Sequence, residues 1–301
     1  MMIEFGICCV IFYAIAFLFE LSRFFLRWSL RNIFVLIGVI IGFVAHTIFL
    51  YYNHHITTQD YINGAKIYFL MTSWILVLIY FYLSCYHRQI PFGLFFLPIA
   101  SLLIIGGVIT THISTAEQIN SGGAASDIAA AVLNDHKSPL LKMLHAITFL
   151  LATLSICIGF VAGLFYLVQD WRLRHKRPVG ILTLPSIEWS SSICRKTLGA
   201  STFILAATIY FGWLLLPQPK TQNIIALFDP LVAGTILMFI FLILFSGILP
   251  LHIFKTEGKQ VAILTLITFA FLTLTLSCGI LTKNSHWKKN IQNIKIEKIQ
   301  N

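Results

Sequence analysis

Charged residues are scarce in this chain: Asp, Glu, Lys and Arg make up 11% of its 301 residues. Soluble domains carry roughly 25% charged residues, so the composition excludes a soluble enzyme of this size. Apolar residues reach 58%, which excludes an intrinsically disordered chain. The apolar residues form unbroken runs rather than alternating with polar ones, which excludes a transmembrane β-barrel. The composition therefore predicts an all-α, polytopic transmembrane helix bundle.

The sequence also lacks the short motifs of common enzymes and metal sites. It contains no glycine-rich phosphate loop, no His-Glu-x-x-His and no Gly-x-Ser-x-Gly. Its six cysteines form no CxxC pair and lie mostly inside apolar runs, so we expect them to act as small packing residues. The net charge of +10 comes from basic residues in short loops, which argues against nucleic acid as a partner.

Apolar runs of about 20 residues predict eight membrane-spanning helices. No internal repeat of 20–50 residues is visible, and no inverted repeat of the kind found in transporters. The predicted spans are Ile3–Glu20, Ile33–Tyr52, Lys66–Cys85, Gly93–His112, Met143–Val168, Thr197–Leu216, Leu231–Phe254 and Val261–Leu281.

Lys and Arg predict the orientation of these helices, because cytoplasmic loops of membrane proteins are enriched in both. Basic residues follow predicted helices one, three, five and seven, so the N-terminus is expected outside. The basic tail after helix eight, with Lys283, Lys288 and Lys289, departs from this trend. The predicted localisation is the cytoplasmic membrane of a bacterium, in contact with the lipid bilayer.

Small residues recur at steps of three and four in predicted helix five. Ala152, Ser155, Gly159 and Gly163 fall on one helical face, where neighbouring backbones can approach closely. We therefore expect helix five to lie centrally in the bundle.

Four histidines lie within or at the ends of predicted spans, where an ionisable group is costly and suggests a function. They are His46, His145, His252 and His286. Neutral imidazole is a good ligand for haem iron. His145 opens helix five and His286 follows helix eight on the same predicted outer side, so the two can converge. The alternative is that each histidine only bonds to a neighbouring helix.

Four segments around these positions are similar to segments of a known family. They are Ala45–Leu50, Leu144–Leu167, Leu184–Glu188 and Leu249–His252, the last preceding a basic loop. In these segments the chain resembles the cytochrome c assembly membrane proteins of the CcsA, CcmC and HemX type, over about residues 33–287. The predicted organisation is a first helix with its basic loop (residues 1–32), this assembly-like domain (33–287) and a basic tail (288–301).

The resemblance implies haem handling during cytochrome c assembly, with transient haem b and an apocytochrome c or a second assembly membrane protein as partners. It assigns His145 and His286 to an outer pair of axial ligands to haem iron, and His46 and His252 to membrane sites. The chain itself would not be an enzyme, and at most would be a haem-handling component of a cytochrome c synthase system.

The chain departs from the haem-presenting branch of that family, whose corresponding loop is rich in tryptophan. Here the loop reads Ala226–Leu231, which keeps Asp229 and Pro230 but has no tryptophan. The chain is therefore more similar to the HemX-like branch. This leaves open a regulatory or scaffold protein of tetrapyrrole metabolism without bound haem. A transporter and an electron-transferring cytochrome b subunit are weaker alternatives.

Overall fold

The computed structural model describes residues 2–22, 31–56, 64–86, 90–120, 139–176, 184–215, 230–248 and 258–278. Almost all of these residues are helical, and they contain no strand. The eight helices are α1 (Met2–Leu21), α2 (Arg31–Ile56), α3 (Gly64–Tyr86), α4 (Gly93–Asn120), α5 (Pro139–Arg174), α6 (Ile187–Leu214), α7 (Pro230–Ile248) and α8 (Gly258–Cys278).

Seven of these eight helices are long and apolar enough to cross a membrane, and α7 contains a shorter apolar stretch, Leu231–Phe245. A helix satisfies its own backbone hydrogen bonds, which is the requirement for any segment surrounded by lipid. The prediction of an all-α, multi-pass membrane protein is confirmed. All six cysteines are unpaired, and Cys9, Cys157 and Cys194 are buried as packing residues.

Three helices extend well beyond their predicted apolar runs, and the first of them, α4, continues past His112 to Asn120. α5 continues to Arg174, and at about 1.5 Å per residue it is roughly 54 Å long, against about 30 Å of hydrocarbon. α6 begins at Ile187 rather than at Thr197, because Ser186 caps it: the Trp189 amide donates to Ser186 Oγ at 3.3 Å. The start of an apolar run marks where a helix enters the membrane, not where the helix begins.

The chain divides into two compact units, Met1–His136 with Leu164–Ser192, and Lys137–Gly163 with Ile193–Asn301. In the first unit α1 packs against α2 and α4, and α3 packs against α4 and α2. Glycine makes these contacts close. A β-carbon on Gly42 of α2 would lie 2.6 Å from Cε1 of Tyr13 in α1, and one on Gly38 would lie 3.4 Å from Ala16.

An acidic side chain, Glu20, is buried where α1 ends, close to the first residue of α4. Glu20, in the last turn of α1, is only 5% exposed. Its Cγ and the hydroxyl of Tyr80 both lie within 3.4 Å of the position that a β-carbon would take on Gly93, the first residue of α4. A carboxylate near a helix N-terminus is favoured by the backbone amides there. This arrangement explains how an acidic side chain is buried at the end of an apolar helix.

In the second unit the predicted small-residue face of α5 is an interface, as expected. Ser155 Oγ donates to the Thr197 carbonyl of α6 at 3.0 Å, and a β-carbon on Gly159 would lie 2.7 Å from Thr197 Oγ1. Gly163 lies against Thr265 of α8. α5 therefore touches α6 and α8 through residues that have little or no side chain.

We expect Gly159→Ala to lower the free energy of unfolding by about 1–3 kcal/mol, because the added methyl group would overlap Thr197 Oγ1. The matched control is Gly199→Ala in α6, where a β-carbon meets no atom within 4 Å. Both changes gain the same helix propensity, so thermal unfolding in detergent isolates the overlap. Equal melting temperatures for the two variants would contradict this close contact.

Candidate functional site

His46 lies in the middle of α2 and is completely buried. Its Nδ1 is 3.5 Å from the hydroxyl of Tyr13 in α1, and the two rings meet edge to face with their centroids 6.2 Å apart. Gly42, one turn earlier in α2, makes this possible, since any side chain there would collide with the Tyr13 ring. The first unit thus encloses an imidazole and a phenol side by side in an apolar helix pair.

The other ring nitrogen of His46 makes no hydrogen bond to any described residue. The backbone of Leu70 in α3 is close enough to act as a weak hydrogen-bond partner of the ring, but no described atom meets Nε2 in full hydrogen-bonding geometry. Buried polar side-chain atoms nearly always have a partner, because leaving one unpaired in an apolar interior costs about 1–3 kcal/mol. His46 Nε2 is therefore a candidate binding atom.

His145 has a different environment, near the start of α5 in the second unit. Its Nδ1 is 2.9 Å from the backbone carbonyl of Thr208 in α6. A carbonyl oxygen can only accept a hydrogen bond, so Nδ1 carries a proton, and Nε2 is the nitrogen that can offer a lone pair to a ligand. The residue is partly exposed, so that lone pair is not sealed inside the unit.

Gly212 gives the His145 ring its place on α6. It lies one turn after Thr208, and a β-carbon on it would approach His145 Cε1 to 3.0 Å. The absence of a side chain at Gly212 therefore lets the ring reach the carbonyl. A carbonyl that fixes one nitrogen of a histidine and leaves the other free is the usual support of a metal-ligating imidazole.

His175, at the opposite end of α5, shows what a histidine without such support looks like. It follows the last residue of α5, is exposed, and bonds through Nδ1 to the carbonyl of Trp171 one turn earlier, at 2.9 Å. This bond is local to the end of α5, whereas the bond of His145 joins two helices. His175 is therefore a suitable control for experiments on His145.

Of the four predicted site residues, the structure describes two. His46 belongs to the first unit and His145 to the second. His252 and His286 lie outside the described residues, so the predicted pairs His145–His286 and His46–His252 stay predictions. Within the described ranges no three His, Cys, Asp or Glu side chains come together as a metal site. Axial ligation of haem iron uses only one or two imidazoles.

Sequence reasoning did not single out Tyr13, although the sequence carries a signal for it. The buried positions of α1 are Gly6, Cys9, Tyr13, Ala16 and Glu20. They recur at steps of three and four, so they form one helical face. That face holds small and polar residues within an otherwise apolar helix. Such a face indicates where α1 meets other helices and where polar partners of a buried histidine lie.

Comparison of the chain with protein-family models, with curated proteins and with solved structures found no match. The resemblance to cytochrome c assembly proteins therefore rests on the residues quoted for it. The structure adds one physical reading of them: the Leu184–Glu188 segment contains Ser186, the N-cap of α6.

We expect His46→Leu to change the melting temperature little, because it removes the unsatisfied Nε2 but also removes the contact of Nδ1 with the buried Tyr13 hydroxyl. His145→Leu should lower stability by about 1 kcal/mol, since it removes a hydrogen bond between α5 and α6. Thermal unfolding of both variants in the same detergent tests the contrast. A large loss of stability in His46→Leu would show that His46 is needed to hold the unit together.

Proposed function

We propose that this protein binds haem in the cytoplasmic membrane of a bacterium and assists cytochrome c assembly. The observation that carries the proposal is the bond from His145 Nδ1–H to the Thr208 carbonyl, which leaves Nε2 as the nitrogen that can bind iron, on a partly exposed residue. The buried Nε2 of His46 gives further support, because it is an imidazole nitrogen without a partner among the described residues.

The residues fit haem by their chemistry. Neutral imidazole is the form that ligates haem iron, and the bond from Nδ1–H to the Thr208 carbonyl selects the tautomer of His145 in which Nε2 is the ligating nitrogen. In this proposal His145 and His286 would bind haem iron at the outer site, while His46 and His252 would supply nitrogens within the membrane. Bound haem would supply the iron and the reactive porphyrin for attachment to an apocytochrome.

The role of the chain itself is to hold and orient its imidazoles. Thr208 and Gly212 fix the plane and tautomer of the His145 ring, and Tyr13 with Gly42 fixes the His46 ring. The loop that would carry tryptophans in the haem-presenting branch has none here. Trp213, in the last turn of α6, is 66% exposed on the surface of that helix. We therefore propose haem holding and transfer to a partner membrane protein rather than presentation by this chain alone.

The first experiment is an absorbance spectrum of the protein purified in detergent from a haem-replete host, oxidised and then reduced with dithionite. We expect a Soret band with sharp α and β bands in the reduced state. His145→Ala and His286→Ala should remove these bands, and His175→Ala should leave them intact. Haem-free protein would contradict the proposal and favour the HemX-like scaffold.

Two further outcomes of the same spectra locate the haem. Loss of the bands only in His46→Ala or His252→Ala would place the haem within the membrane and overturn the outer site. A redox-active haem that never transfers to an apocytochrome would instead indicate an electron-transfer subunit. Substrate-dependent flux in vesicles, without haem, would indicate a transporter.

A second prediction tests how the His145 ring is positioned, without changing His145 itself. Gly212→Val places a branched side chain where His145 Cε1 now lies, so the imidazole must turn away from the Thr208 carbonyl. Changes in the outer shell of a metal ligand typically cost about 10–100-fold in affinity, and we expect a loss of haem affinity in this range. The measurement is haem titration of the haem-stripped protein. Unchanged haem affinity in a folded Gly212→Val variant would show that the space left by Gly212 has no part in haem binding.

A further inference from the structure

Two adjacent cations, Arg195 and Lys196, lie on the exposed surface of α6. The neighbouring residue Cys194 is buried and directed at the Gly159 carbonyl of α5, with its Sγ at 3.8 Å. Thr197, which follows the two cations in the sequence, packs closely against Gly159 of α5. The two cations therefore project from the face of α6 that is turned away from α5, and neither forms an ion pair with a described residue.

The depth of this pair follows from α6 alone. Trp213, near the other end of the helix, is exposed as expected for an aromatic residue at a membrane interface. Seventeen residues separate Lys196 from Trp213, which is about 26 Å along a helix. The hydrocarbon core is about 30 Å thick, so the cations lie at the opposite interface, where long basic side chains reach lipid phosphates. The positive-inside trend predicts that this interface is the cytoplasmic one.

The surface beyond the cations is open. A β-carbon on Gly199, one turn after Arg195, would meet no described atom within 4 Å. One turn further, Phe203 is 81% exposed. The exposed face of α6 thus runs from two cations, across a position without a side chain, to an aromatic ring. The parts of this face suit the parts of a phospholipid. The two cations suit a phosphate group, and the open position at Gly199 with the Phe203 ring suits an acyl chain.

We propose that this face of α6 is a binding site for an anionic phospholipid. Arg195 and Lys196 bind the headgroup phosphate, with the planar guanidinium of Arg195 able to donate two parallel hydrogen bonds to it. One acyl chain lies over Gly199 and against Phe203. The nearest acidic residue along this face is Glu188, about two turns before Arg195. Its negative charge would repel a second negative charge on the aqueous side of the headgroup phosphate.

The test is a titration of delipidated protein in detergent with phosphatidylglycerol, and separately with phosphatidylcholine, followed by native mass spectrometry. A cation at a membrane surface strengthens binding to anionic lipid about five-fold, so Arg195→Gln/Lys196→Gln should weaken phosphatidylglycerol binding about twenty-fold. The charge-matched control is Arg174→Gln/Lys176→Gln at the end of α5, which should leave that binding nearly unchanged.

The position proposed for the acyl chain is tested separately with Gly199→Leu, whose β-carbon meets no described atom within 4 Å. We expect it to weaken phosphatidylglycerol binding without lowering the melting temperature, because leucine has the higher helix propensity. Equal binding of the two lipids, or equal loss in the two double variants, would show only non-specific attraction to basic loops and overturn the proposal. If inorganic phosphate displaced phosphatidylglycerol as well as the lipid itself does, the assignment to a lipid would be overturned. Unchanged phosphatidylglycerol binding in Gly199→Leu would also overturn it.

Discussion

The constraint on which this structure depends is that lipid offers no hydrogen bonds, so every polar group in a span needs a partner inside the protein. Most of the buried hydroxyl groups among the described residues obey it, and Ser190 Oγ is an exception. Thr72, Thr153, Thr268 and Thr275 donate to carbonyls of their own helices, and Ser73 donates to Ala100 of α4 at 2.9 Å. Even Glu20 is buried beside the N-terminus of α4. Three buried side-chain atoms of the described residues have no hydrogen bond: His46 Nε2, Gln169 Oε1 and Ser190 Oγ. Of these, only the imidazole nitrogen is a usual ligand of haem iron.

The same constraint explains why glycine marks the helix contacts. Without a hydrophobic driving force between helices in lipid, association depends on close packing. Gly42 admits the Tyr13 ring, Gly159 admits Thr197, and Gly212 admits His145. Two of these three glycines lie beside a candidate functional histidine. The same feature therefore serves helix packing and the proposed binding: a glycine on one helix leaves space for a side chain of the neighbouring helix.

Much of the fold could be predicted from the sequence, because unbroken apolar runs have one stable solution in lipid. The eight helices and the small-residue interface of α5 were predicted in this way. The start of α6 was not, since Ile187–Lys196 is polar on much of its surface and its helical state depends on the Ser186 cap rather than on hydropathy. Hydropathy predicts which part of a helix lies in lipid, but it does not predict the part of the helix that continues into water.

The candidate site was predictable only in part. His46 and His145 stand out in sequence because ionisable residues in spans are rare. Their partners do not, since the partner of His145 is a backbone carbonyl, which every residue has, and Tyr13 meets His46 through the register of α1 on α2. Such pairings depend on which faces of two helices meet, and one sequence does not state that.

α6 has a consequence for how the chain is made. It is the least apolar of the seven helices able to span the membrane, and it carries Arg195 and Lys196 near its beginning. A segment like this gains little by entering lipid alone during synthesis. α5 precedes it, is strongly apolar, and presents Ser155 and Gly159 to it. Insertion of α6 is thus expected to follow that of α5 as a helical hairpin, with α5 serving as its template in the bilayer.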